Sequence, residues 1–179
     1  MLVAVGRLPR LFHLVVYFDL PVQLRHGPEM RSNPYTPVQL LAEASAFRQL
    51  APRLHSLRVF ASAHSRFQTQ RVIDILPFLV QCREFTCDCG VIRQIQSIRP
   101  LIKLRTLTYI TGRMYDAPAP GWASSALERI VTTAPPSLNT VAIAQAKSGR
   151  TTQDVSNWKA LSELCTASAV ILALNVEIK

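Results

Sequence analysis

The sequence predicts an α/β protein, a solenoid of stacked strand–helix units with a curved parallel sheet. Three observations predict it. A pattern of apolar residues at i, i+3, i+6 and i+8 recurs six times. Runs of period two alternate with runs at helical spacing. The chain has only six glycines and no G-x-G-x-x-G turn of the kind that opens a doubly wound sheet.

The elements follow in order. Leu8, Leu11, Leu14 and Val16 lead into a buried strand near 13–18. This stretch also loosely resembles a targeting segment, but its apolar run contains His13 and ends in Asp19, Leu20 and Pro21. Gly27, Pro28, Asn33 and Pro34 make 25–37 an irregular connection. Thr36, Pro37 and Gln39 form a helix start, and Leu40, Leu41, Ala44 and Phe47 share one face of that helix.

Leu54, Leu57 and Val59 are the clearest copy of the recurring pattern and open a strand near 57–62. Residues 69–80 read as a helix with Pro77 as a kink. Leu79, Cys82, Phe85 and Cys87 lead into a strand near 84–89, followed by a short helix or turn over 91–98. Leu101, Leu104, Leu107 and Tyr109 predict a strand over 105–111. A helix over 122–133 carries Trp122, Leu127, Ile130 and Val131. Leu138, Val141 and Ile143 predict a strand over 140–145. Thr151 to Asp154 cap a helix with Trp158, Leu161 and Leu164. Leu164, Ala167, Val170 and Leu172 predict a last strand over 169–177. Both tryptophans are assigned to the core.

The strand anchors are Leu14, Leu57, Phe85, Leu107, Val141 and Val170, spaced by 43, 28, 22, 34 and 29 residues. From Leu57 onward the mean is close to the 20–29 residues of leucine-rich repeats, so the fold expected is an irregular leucine-rich-repeat solenoid. A single unit cannot bury its apolar face, so stacking must supply the core.

Composition agrees. The 179 residues are 49% hydrophobic, far too apolar for a disordered chain. The net charge is +9, from 20 Lys and Arg against 11 Asp and Glu. Residues 1–60 carry 7 basic and 3 acidic groups, 61–120 carry 8 and 4, and 121–179 carry 5 and 4. Nowhere do three basic residues adjoin, so the charge reads as a coat rather than a nucleic-acid groove. The four cysteines fit no disulfide scaffold, and a reducing compartment, cytoplasmic or nuclear, is expected. Cys87 and Cys89 alternate on the expected strand and are read as core residues rather than metal ligands. Neither a metal nor a cofactor is expected. The four histidines sit in different segments, and no G-x-S-x-G, P-loop or H-E-x-x-H motif occurs.

The stretches Leu54-His-Ser-Leu57-Arg-Val-Phe, Cys82-Arg-Glu-Phe85 and Leu104-Arg-Thr-Leu107-Thr-Tyr resemble the degenerate leucine-rich repeats of fungal F-box-like proteins, as does Pro-Ser-Leu-Asn-Thr-Val at 136–141. The resemblance covers roughly residues 8–179. Of the positions where a typical repeat has Asn or Cys, only Asn175 matches. The family resemblance implies the target-recruiting part of a ubiquitin-ligase subunit, whose F-box docks a ligase adaptor. No F-box motif is found here, so residues 1–179 read as one repeat domain, a fragment without its F-box and without a capping end.

In such strands the residues between the core positions face the concave side. Tyr17, Arg58, Phe60, Thr86, Asp88, Thr108 and Ile110 are therefore the candidate partner-binding residues, with Ala142, Ala144 and Ile171 beyond them. Asp88 reads as an outward-facing strand residue. The function expected is non-enzymatic: a scaffold that binds a protein on its concave face, with no role for nucleic acid or membrane. The alternatives are an α/β enzyme on a degenerate doubly wound sheet and a basic nucleic-acid-binding domain.

Overall fold

A computed structural model describes residues 10–18, 45–61, 73–111, 122–145 and 158–176. Six strands form one sheet: β1 (His13–Phe18), β2 (Ser56–Ala61), β3 (Glu84–Asp88), β4 (Thr106–Thr111), β5 (Thr140–Gln145) and β6 (Ile171–Val176). Every neighbouring pair is parallel, and the strands lie side by side in chain order. The fold is thus α/β with an all-parallel sheet. The six strands fall within a residue or two of the expected stretches.

Between strands the chain returns through helices and tight turns. Residues 45–50 are helical and run into a 3-10 turn, Ala51–Arg53. Residues 73–75 are helical and continue into the 3-10 turn Leu76–Phe78, where Pro77 tightens the helix end. Three further helices are α1 (Cys89–Ile92), α2 (Trp122–Thr132) and α3 (Trp158–Ala167). The helix expected from Thr36 through Phe47 is described only from residue 45, where it is helical; its earlier part and the cap at 151–154 lie outside the described residues, as do the side chains of both tryptophans. Among the described residues no helix is long and apolar enough to cross a membrane.

One sheet face carries the main core. Leu57, Val59, Phe85, Cys87, Leu107, Tyr109, Val141 and Ile143 alternate along β2 to β5 and are all at most 6% exposed. They pack on Leu50, Ile92, Ile95, Ile98, Leu127, Ile130 and Leu161 from the connecting layer. In α2 the buried Ala126, Leu127, Ile130 and Val131 recur at helical spacing and form one core-facing stripe, while Ser125, Arg129 and Thr132 are exposed. Burying a Leu, Ile or Phe contributes roughly 1.5–3 kcal/mol each, so this double layer dominates stability.

The same local device leads into four strands. The N–H groups of Leu54, Cys82, Leu104 and Leu138 donate to the carbonyls three residues earlier, of Ala51, Leu79, Leu101 and Pro135. Each turn drops its last side chain into the core, where all four are at most 5% exposed. The strand entries are then joined by shared acceptors. The carbonyl of Phe12 takes the N–H groups of His55 and Ser56, that of His55 takes Arg83 and Glu84, that of Arg83 takes Arg105 and Thr106, and that of Arg105 takes Asn139 and Thr140. Neighbouring units are therefore registered before the strands begin.

Three expectations are corrected. Residues 13–18 form an edge strand rather than a buried one: Val16 is buried, but Val15 is 49% exposed. The sixth anchor is Leu172, not Val170, because Val141 pairs with Leu172. Residues 168–170 instead close α3: Val170 N–H donates to Cys165 O and Ala169 N–H to Thr166 O, with Ala169 at φ 56°. This is a Schellman ending, and it delays the strand to Ile171. Third, β3 stops at Asp88, and Cys89 starts α1 instead of continuing the alternation. The Asp88 carboxylate accepts the Val91 N–H at 3.2 Å, which turns the chain into the helix.

Candidate functional site

The second face of the sheet is the candidate site. Register places its side chains in rows that run across the strands. The row nearest the strand starts is His13, Ser56, Glu84, Thr106, Thr140 and Ile171. The middle row is Val15, Arg58, Thr86, Thr108, Ala142 and Ala173. In the row nearest the strand ends, Tyr17 pairs with Phe60, Asp88 with Ile110, and Ile110 with Ala144. Val59 pairs with Cys87, so Phe60 and Asp88 are the next positions on β2 and β3.

Burial grades across these rows. In the first, His13, Glu84 and Ile171 are exposed. In the middle row Arg58 and Thr108 are half-buried, while Thr86 and Ala142 are buried. In the last row Phe60, Asp88, Ile110 and Ala144 are all buried, and Phe60, Ile110 and Ala144 form a second apolar cluster of their own.

Register thus brings the six candidates with described side chains, Arg58, Phe60, Thr86, Asp88, Thr108 and Ile110, onto one face, but accessibility divides them. Arg58 and Thr108 are partly open to a partner. Phe60, Thr86, Asp88 and Ile110 are buried, contrary to the expectation of an open face; two large apolar groups there form a small core instead of waiting for a ligand. The side chain of Tyr17 lies outside the described residues. Asp88 is not an outward-facing residue: it is 3% exposed, and its carboxylate holds the start of α1. A buried carboxylate is costly unless hydrogen-bonded, which is why the backbone donor matters.

Beside the exposed His13, Val15, Glu84 and Ile171, the face carries a group of hydroxyls. Thr106, Thr108 and Thr140 are half-buried, with Ser56 and Thr86 buried beside them. Threonine suits a pleated surface and also offers a donor and an acceptor. Arg58 is the one cation in the middle row. Such a surface can hydrogen-bond an extended chain or a polar loop without large rearrangement. The hydroxyls, missed by the sequence reading except at Thr86 and Thr108, follow from the period-two alternation once the strand starts are known.

Cysteine chemistry points inward. Cys82 and Cys87 are fully buried in the main core and Cys165 is 1% exposed. The Cys82 thiol donates to the Glu84 carbonyl at 3.2 Å. Burial pushes its pKa up to about 11, against the opposing effect of hydrogen bonds with the Glu84 and Leu57 backbone. Burial also raises that of Cys165. These thiols behave as small core hydrophobes.

Comparison with protein-family models found no match, and comparisons with curated proteins and with solved structures found none either.

Proposed function

We propose that the protein is a non-enzymatic protein-interaction scaffold, an irregular leucine-rich-repeat solenoid whose second sheet face is concave and binds a protein partner. The observation that carries this reading is repetition: one tight turn, one shared-carbonyl junction and one parallel strand recur from unit to unit. Solenoids stack such units so that each contacts only its neighbours. Strict chain order also favours this reading over a doubly wound enzyme, whose ligand crevice forms where strand order reverses.

In this reading Arg58 and Thr108 contact the partner, while Phe60, Thr86, Asp88 and Ile110 hold the platform rigid beneath them. The family resemblance extends the proposal: the partner is a protein recruited to a ubiquitin ligase, in the cytoplasm or nucleus. A ligase adaptor enters only where an F-box is joined to these repeats.

A photo-crosslinking amino acid placed at Thr108 tests the proposal, with one at Ser162, exposed on α3, as control. The expected result in cell extract is a discrete crosslinked protein from position 108 that is absent from position 162. Identical products from both positions would overturn the assignment.

A further inference from the structure

We propose that the rim of the sheet at the strand starts is a second docking surface, specific for a short acidic peptide segment with apolar residues among its acids. It is separate from the second face and stands whether or not that face binds a partner.

Charge that is dispersed in the sequence is gathered by the fold. Three residues before the first position of β1, β2 and β4 stand Arg10, Arg53 and Lys103; one residue before β2, β3 and β4 stand His55, Arg83 and Arg105. Because the turns before β2, β3 and β4 repeat in register, Arg53, His55, Arg83, Lys103 and Arg105 lie along one rim, with Arg10 at the matching distance before β1. Arg10, Arg83, Lys103 and Arg105 are exposed. The carboxylate nearest them at the described strand starts is Glu84, beside Arg83 at the first position of β3.

Among the described residues the exposed rim cations, Arg10, Arg83, Lys103 and Arg105, meet little that offsets their charge, whereas Arg53 is half-buried and has contacts of its own. The carbonyls of His55, Arg83 and Arg105 each already accept two backbone N–H groups from the next unit. Lys103 Nζ reaches across one unit to Gln81 Oε1 at 2.7 Å, a neutral partner. Arg83 and Arg105 immediately precede adjacent strands, which lie about 4.8 Å apart in the sheet, where like charges repel. An acidic ligand turns that repulsion into attraction.

Two features favour a peptide over a nucleic acid. Apolar surface is interleaved with the cations: Phe12 is 40% exposed and stacks on His55 at 5.1 Å, and Ile102 beside Lys103 is 59% exposed. The track is also short. From β1 to β4 it spans three strand spacings, about 14 Å, which matches an extended peptide of about four residues. Nucleic-acid tracks commonly engage longer stretches of backbone.

The experiment uses the full chain and a fluorescein-labelled peptide of about ten residues, Glu-rich with two interspersed Leu, read by fluorescence anisotropy. Arg105→Glu and Arg83→Glu are compared with Lys159→Glu, an exposed cation on α3. Each rim reversal is expected to weaken binding at least about tenfold, with Lys159→Glu changing it by less than about twofold and added salt weakening the wild-type complex. Unchanged circular dichroism of the variants shows that the fold persists. No binding by the wild type, or equal loss in all three variants, would overturn the proposal. So would tighter binding of a matched oligouridylate than of the peptide with the same sensitivity to the rim reversals, since the rim would then read phosphate.

Discussion

The backbone N–H of Val91 donates to the carboxylate of Asp88 across 3.2 Å, and this bond ends β3 and begins α1. Asp88 is buried, so the bond is both a cap and the means of satisfying a desolvated oxygen. Asp88→Ala is expected to lower stability by about 1–2 kcal/mol in urea unfolding. Asp88→Asn keeps an acceptor at the cap and is expected to lose less. Equal losses in the two variants would show that the cap does not set the stability of this corner.

Ala169 closes α3 in the left-handed region, at φ 56°. An L-residue with a Cβ pays roughly 1–2 kcal/mol there, and glycine does not. Ala169→Gly is therefore expected to stabilise the protein by about 1 kcal/mol, less the added freedom of the unfolded chain. This corresponds to a rise in Tm of about 2–4 °C for a chain of this size. A fall in Tm would contradict the Schellman ending.

Ile143 and Leu174 are register partners with opposite fates. Ile143 is 6% exposed within the core, whereas Leu174 on the edge strand β6 is 52% exposed. Truncation to Ala is expected to cost about 2–5 kcal/mol at Ile143. At Leu174 it is expected to cost less than about 1 kcal/mol, in proportion to the smaller area withdrawn from water. Chemical denaturation of the two variants measures the difference directly.

Cys82 ionises at about 11 in the folded chain, against 9.0 for an unperturbed thiol. A raised pKa means that the folded state holds its proton where the unfolded state releases it. The contribution of the group to stability is complete below pH 9 and is lost as pH rises from about 9 to about 11. Cys82→Ala is expected to flatten the decline of Tm over that window relative to wild type. The native Cys82 is also expected to resist alkylation near pH 8 and to react on unfolding. Prompt labelling of this thiol in the native protein would contradict its placement.

Strands β2 to β5 were legible because alternation survives in each of them, from Leu57 and Val59 to Val141 and Ile143. The anchor of β6 was not, since Val170 and Leu172 are both apolar and of the same parity, and an alanine stands at 169 where glycine would have announced the end of α3. Cys87, Asp88 and Cys89 imitate one more turn of strand alternation, and only the hydrogen bond to Val91 distinguishes a cap from a surface residue. For the candidate site, period two assigned the seven residues to one face, but accessibility is set by what lies above each row. Phe60, Ile110 and Ala144 find one another across strands that are far apart in sequence. The basic rim was hidden for the same reason: Arg53, Arg83 and Arg105 are scattered in the chain and meet only through the repeating turns.

The claim that the second face is the recognition platform is tested most directly by the affinity of a protein crosslinked through position 108, measured by titration calorimetry against two variants. Thr108→Arg adds bulk at the middle of the face, and Ser162→Arg adds the same bulk on α3. The predicted result is a loss of at least about tenfold in affinity for Thr108→Arg, at unchanged Tm, with Ser162→Arg binding as wild type. Equal affinity of both variants for that protein, or loss only in Ser162→Arg, would contradict it.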